Sequence, residues 1–171
     1  TNTYDRRGNL LTGISESDDN GDGNIDSRYS TTNTYDRRGN LLTGISESDD
    51  NGDGNIDSRY STTNTYDRRG NLLTGISESD DNGDGNIDSR YSTTNTYDRR
   101  GNLLTGISES DGNADGTIDD RSSTTNTYDQ SGNLLTSVYE SDKGADGTID
   151  SRDSTTNTYD QSGNLLTSVS V

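Results

Sequence analysis

The acidic segment Asp18–Asp26 carries the side chains in this chain that are best suited to chemistry. Its oxygen-bearing side chains stand at positions 1, 3, 5 and 9 of the segment: Asp18, Asn20, Asp22 and Asp26. Gly23 stands sixth, where the backbone must turn sharply, and Asn24 stands seventh, where its carbonyl can point inward. Alternate oxygens on such a turn can converge on one hard cation. An all-oxygen ligand set favours calcium, because magnesium demands a stricter octahedron.

The acidic segment recurs because the chain is a tandem repeat of 31 residues. Complete units occupy 1–31, 32–62, 63–93, 94–124 and 125–155, a half unit covers 156–171, and we treat 1–171 as one repeat array. The corresponding candidate ligands are Asp49, Asn51, Asp53, Asn55 and Asp57; Asp80, Asn82, Asp84, Asn86 and Asp88; Asp111, Asn113, Asp115, Thr117 and Asp119; and Asp142, Asp146, Thr148 and Asp150. The sequence thus predicts up to one Ca²⁺ per complete repeat.

The fifth segment is the weakest of these candidate sites. Gly144 replaces the third-position oxygen, and Lys143 places a positive charge beside it. We therefore expect this site to bind calcium least or to stay empty. The alternative for all five segments is a solvated acidic loop, but regularly spaced acids with a glycine and an isoleucine at fixed offsets favour the calcium interpretation.

The order D-x-N-x-D-G-x-I-D resembles the calcium loops of EF-hand and dockerin proteins. The resemblance covers only the loop, because position 12 is Tyr29 where an EF-hand has a bidentate glutamate. It implies calcium binding with one ligand from elsewhere, for which Glu16, water and a neighbouring repeat are the candidates.

Two stretches of each unit have the composition and alternation of β-strands. Ser27–Tyr35 puts Tyr29, Thr31 and the residues in step with them on one face, and Asn9–Ser17 puts Leu10, Thr12 and Ile14 together. A tight turn and the acidic segment connect these stretches. The sequence therefore predicts an all-β, elongated tandem array stapled by calcium. A hairpin meander is favoured over a β-solenoid, and both remain open at this point.

The tight turn Tyr4-Asp5-Arg6-Arg7-Gly8-Asn9-Leu10 resembles the YD repeat of Rhs and teneurin-type proteins, and it recurs six times. The resemblance implies β-hairpins within long antiparallel sheets on secreted or surface proteins. Chemically, Asp5 can accept N–H bonds across the turn, Gly8 supplies a positive φ, and Tyr4 and Leu10 form a cross-strand pair.

Composition excludes several classes of protein. Only 21% of residues are hydrophobic and the net charge is −17, which is typical of disorder unless something other than a core holds the chain. Without His or Cys, the commonest general base and the thiol nucleophile are missing, so we expect no enzyme. The acidic balance argues against nucleic acid, and no apolar run approaches the ~18 residues of a membrane span.

These features together predict a calcium-stabilised structural segment of a long extracellular fibre, stalk or adhesin at a bacterial surface. Self-association into rods or filaments is the expected partnership. The alternatives are a surface module that binds carbohydrate or ice, and part of a YD-type toxin shell.

Overall fold

A computed structural model describes all of residues 1–171 and consists of β-strands joined by turns. The twelve strands are β1 (Asn2–Tyr4), β2 (Leu10–Ser17), β3 (Ser27–Tyr35), β4 (Leu41–Asp49), β5 (Ser58–Tyr66), β6 (Leu72–Asp80), β7 (Ser89–Tyr97), β8 (Leu103–Asp111), β9 (Asp120–Tyr128), β10 (Leu134–Lys143), β11 (Ser151–Tyr159) and β12 (Leu165–Ser170). The predicted all-β array is confirmed, and β3 has the predicted bounds.

The strands form one sheet in which each pairs antiparallel with its neighbours in the chain. The sheet is an open, elongated meander, so the hairpin prediction is confirmed and the solenoid alternative is wrong. Gly13 lies opposite Thr31, which lies opposite Ser46, whereas the repeat equivalent of Gly13 is Gly44. Successive repeats are therefore staggered by two residues, or ~7 Å along the strands.

The sheet has no hydrophobic core. No hydrophobic residue is buried, and the seven buried residues are three glycines and four aspartates. The strands are joined by a backbone ladder that supplies most of the 99 backbone hydrogen bonds. They are also joined by side-chain pairs such as Thr34 and Thr43, whose hydroxyl oxygens lie 2.6 Å apart. The fold thus depends on edge-to-edge pairing, with no second layer of structure.

A bulge shifts the register after each tight turn and corrects one prediction. Tyr4 pairs with Leu10 as predicted, but Thr3 pairs with Thr12, so one residue of β2 is left over. The Cδ2 atom of Leu10 consequently lies 3.7 Å from where a Cβ on Gly13 would be. The prediction that Leu10 shares a face with Thr12 and Ile14 is therefore wrong, because the bulge turns it toward the face of Gly13.

No helix of sufficient length and apolar character to cross a membrane is present.

Candidate metal site

The connections between strands alternate between the two long edges of the sheet. We call the edge formed by the tight turns, such as 5–9, the turn edge. We call the edge formed by the acidic segments 18–26, 49–57, 80–88, 111–119 and 142–150 the loop edge, with loops 1 to 5 in that order. Neighbouring loops are two strands apart, or ~10 Å. The loops contain 18 carboxylates and one lysine, so they account for the whole net charge of −17.

Each aspartate of the turn edge is fully engaged by its own turn. Asp5 Oδ1 accepts hydrogen bonds from the N–H groups of Arg7 at 2.8 Å and Asn9 at 2.9 Å, and Asp5 Oδ2 accepts one from Asn9 Nδ2 at 2.9 Å. Gly8 has a φ of 88° and donates its N–H to the Asp5 carbonyl at 3.1 Å. The predicted turn chemistry is confirmed. The side-chain and backbone hydrogen bonds from Asn9 lower the pKa of Asp5.

The candidate ligands of loop 2 fold the backbone around themselves. Gly54 donates its N–H to Asp49 Oδ2 at 2.9 Å, Asp53 donates to Asn51 Oδ1 at 2.9 Å, and Asn55 donates to Asp53 Oδ1 at 2.8 Å. Asp57 closes the loop, because its Oδ2 accepts the N–H of residue 50 at 2.8 Å. Each of these side chains therefore uses one oxygen to shape the loop, and Asp49 and Asp53 each keep a second carboxylate oxygen outside these bonds.

The first aspartate of loops 2 and 3 is buried and has one oxygen without a partner. Asp49 is 5% exposed and Asp80 is 4% exposed, and the Oδ1 atom of each is buried with no hydrogen-bond partner. Leaving a charged oxygen in this state costs at least ~1–3 kcal/mol, because neither water nor protein replaces its lost hydration. A cation bound at Oδ1 would remove that cost, and in this respect Asp49 and Asp80 fit the calcium that the sequence predicts.

The other three loops treat their first aspartate differently. Asp18 is exposed, and its Oδ1 accepts the N–H of Gly21 at 2.7 Å. Asp111 and Asp142 are buried, but their Oδ1 atoms accept the N–H groups of Asp115 at 3.2 Å and Asp146 at 3.1 Å. Loops 4 and 5 therefore differ from loops 2 and 3 in how they use Oδ1 of the first aspartate, in addition to the fifth-loop difference that the sequence predicts.

The candidates for a further ligand lie close to the loops but have other partners. Glu47 and Asp49 line the same cavity of about 110 Å³ with Arg28 of the preceding repeat. The Glu47 carboxylate lies 3.4 Å from Arg59 Nε, and Glu16 makes the equivalent pair with Arg28 at 3.6 Å. The hydroxyl of Tyr29, at position 12, donates to Ser46 instead of turning toward loop 1.

No cluster of three or more carboxylates in the chain is positioned to hold a metal ion. The ligand set predicted from the sequence combines carboxylates with amide and backbone oxygens. The structure brings these residues together loop by loop, along one edge. No protein-family model and no curated protein sequence matches this chain.

Sequence reasoning missed two sets of contacts. The Leu10 carbonyl, freed by the bulge, accepts hydrogen bonds from Asn33 Nδ2 and the Tyr35 hydroxyl, both at 3.1 Å. On the loop edge, the Ile25 carbonyl lies against Gly52 of the next loop, where an added Cβ would be 1.9 Å from the carbonyl oxygen. The replacement of this glycine by alanine in the last two loops was the only signal in the sequence for the second contact.

Proposed function

We propose that this chain is a calcium-stabilised structural segment of a long extracellular fibre, stalk or adhesin. The observation that carries the proposal is the pair of buried, unpartnered carboxylate oxygens, Oδ1 of Asp49 and Oδ1 of Asp80. Both belong to the loop position that the calcium pattern assigns to the first ligand. A divalent cation is the partner that matches a buried anionic oxygen beside further amide and carbonyl oxygens.

The architecture gives such an ion a mechanical role. A sheet with no buried hydrophobic residue gains little from apolar burial, and its loop edge concentrates like charges. Each Ca²⁺ would neutralise two of these charges and tie the ends of two strands to one loop. Metal ions replace a core in this way in other small or core-poor folds.

An extracellular setting follows from the affinity expected for these loops. They lack the bidentate glutamate of a strong EF-hand, and weak calcium loops in extracellular modules bind in the range of about 10⁻⁴–10⁻³ M. Calcium outside cells is sufficiently concentrated to fill sites of that strength. A rod without cysteine also needs no oxidising step to fold.

The last strand supports self-association. β12 is exposed along its whole length, and its apolar side chains Leu165, Leu166 and Val169 are all more than half exposed. An edge strand of this kind takes another strand, from a further repeat or from a second chain, because its backbone groups on that side have no partner. Such pairing extends the meander in the same direction as the repeats.

Thermal unfolding with and without calcium tests the proposal. A single site at one hundred times its dissociation constant adds about 2.7 kcal/mol, so calcium at about 10–100 mM, one hundred times the range above, should raise the melting temperature by at least ~5 °C over a chelator. Magnesium at equal ionic strength is the control, since screening of the loop edge would act with either ion. Equal melting temperatures in calcium and in chelator would overturn the proposal.

A second candidate function rests on a separate observation. The row of tyrosines at Tyr29, Tyr60 and Tyr91 is interrupted by Ser122, which leaves a cavity of about 230 Å³ between Tyr91 and Tyr139. Serines and charged residues line the rest of this cavity, a combination of aromatic and polar groups that suits a saccharide. Binding on a glycan array that is lost in Tyr139→Ala would support this function.

A further inference from the structure

Neighbouring loops touch backbone to backbone in the first three repeats. A Cβ on Gly52 would lie 1.9 Å from the carbonyl oxygen of Ile25, and a Cβ on Gly83 would lie 1.8 Å from that of Ile56. No side chain fits at either point. Loop 2 therefore rests directly on loop 1, and loop 3 rests directly on loop 2.

These contacts join the parts of the loops that carry the candidate ligands. Gly52 stands between Asn51 and Asp53, the third and fifth positions of loop 2. Ile25 stands between Asn24 and Asp26, the seventh and ninth positions of loop 1. An ion that fixes the end of one loop also fixes the carbonyl against which the middle of the next loop lies.

The last two loops cannot make this contact. Alanine replaces the glycine at both positions, with φ values of 51° for Ala114 and 45° for Ala145. Loops 4 and 5 have a Cβ at this position. The same Cβ in loops 2 and 3 would lie 1.8–1.9 Å from a carbonyl oxygen. These loops must therefore stand further from the loop before them.

We propose that loops 1 to 3 bind calcium as one positively coupled set, while loops 4 and 5 bind independently. The proposal rests on the calcium function proposed above. Binding of the first ion includes the entropy cost of ordering its loop and the contact with the next loop. The next ion therefore binds a loop that is already partly ordered, at a smaller entropy cost. Coupling between two binding sites is typically fivefold or more in affinity.

Calorimetric titration of the full chain with Ca²⁺ tests the coupling, in a background carrying Asp111→Asn and Asp142→Asn to silence loops 4 and 5. The expected Hill coefficient is above 1, with the second ion bound at least ~5-fold more tightly than the first. Gly52→Ala should bring the Hill coefficient down. Gly21→Ala is the matched control, because Gly21 has a similar positive φ, stands at the same loop position and has no atom within 4 Å of its added Cβ.

A gain-of-contact variant keeps the test decisive even if Gly52→Ala folds poorly. Ala114→Gly, in a chain with all loops intact, should add loop 4 to the coupled set and raise the number of cooperatively bound ions. Equal effects of Gly52→Ala and Gly21→Ala, or independent binding in every variant, would overturn the coupling while leaving calcium binding in place. Absence of any calcium heat in the parent chain would instead overturn the function on which the coupling depends.

Discussion

Aspartate side chains have different roles at the two edges of the sheet. On the turn edge, the Asp36 carboxylate accepts three hydrogen bonds within its own turn, two from backbone N–H groups and one from the Asn40 amide. On the loop edge, Asp49 is almost fully buried, and one of its oxygens has no partner. Both aspartates lie in a connection between two strands. Within the chain, both carboxylate oxygens of Asp36 accept hydrogen bonds, whereas Oδ1 of Asp49 accepts none.

This difference implies that the turn edge is stable without a ligand, whereas the stability of the loop edge depends on one. Each turn of the first four repeats has a net charge of +1, from one aspartate and two arginines, whereas the 18 carboxylates and one lysine of the loop edge sum to −17. A carboxylate satisfied by local N–H groups stabilises its turn under all solution conditions that keep it ionised. An unsatisfied buried carboxylate is unfavourable until a cation arrives, so the loop edge should respond to calcium and the turn edge should not.

Neutralising the buried loop carboxylates should have the largest effect. In chelator, Asp49→Asn with Asp80→Asn should raise the melting temperature, because each change removes a buried charge without a partner, worth about 1 kcal/mol or more. At a calcium concentration one hundred times the dissociation constant, the same pair should lower the melting temperature by several degrees, because the two lost sites, about 2.7 kcal/mol each, outweigh that gain. Thermal melts under both conditions measure this reversal of sign.

The matched control lies on the turn edge. Asp36→Asn should lower the melting temperature by a similar amount, about 2–4 °C, with and without calcium. Its new amide group would face the Asn40 amide that now donates to Asp36 Oδ2. Shifts of the same sign for the loop variant in both solutions would contradict the distinction between the edges.

Acid should weaken the turn edge next. Hydrogen bonds from the asparagine four residues on lower the pKa of the turn aspartates, including Asp36, Asp67, Asp98 and Asp129. A lowered folded pKa means that this stability is fully present above the unfolded value of about 3.9 and is lost as pH falls through the folded value. Melting in chelator from pH 7 to pH 2 should therefore decline below about pH 4. A melting temperature that stays level to pH 2 would argue against this role.

Exchange of the turn arginines should have the smallest effect. In the last two turns Gln-Ser replaces Arg-Arg, and Ser131 still donates its N–H to Asp129 Oδ1 at 2.7 Å. Arg37→Gln with Arg38→Ser should therefore change stability by no more than about 0.5 kcal/mol, as is usual for exposed positions. Chemical denaturation measures this value, and a loss well above 1 kcal/mol would show that the arginines do more than keep the edge soluble.

Much of the fold was predictable because the local signals agree and repeat. Alternating Thr and Tyr residues gave the bounds of Ser27–Tyr35, and the Asp5-to-Gly8 spacing gave the turn and its hydrogen bonds. The choice of a meander over a solenoid followed from that hairpin turn. The face of Leu10 was not predictable from alternation, because a bulge interrupts the period of two just after the turn.

The sequence was sufficient to predict which residues form the candidate site. It was not sufficient to predict how the loops differ from one another in burial and hydrogen bonding. Spacing alone identifies Asp49 and Asp18 as equivalent first positions. Only the structure shows that Asp49 is 5% exposed and lies opposite Arg28 of the preceding repeat. Burial of this kind depends on strand register and on the stagger of two residues per repeat, neither of which a single unit of sequence contains.

We expect calcium to complete the loop edge. Equilibrium dialysis of the chain against millimolar calcium is the decisive test, with the bound ions counted per chain and the β-sheet signal followed by circular dichroism. We expect up to five ions per chain, with loops 2 and 3 among the first to fill, and a sheet signal that strengthens as they bind. A chain that binds no calcium at millimolar concentration, with the same spectrum in chelator, would contradict this expectation.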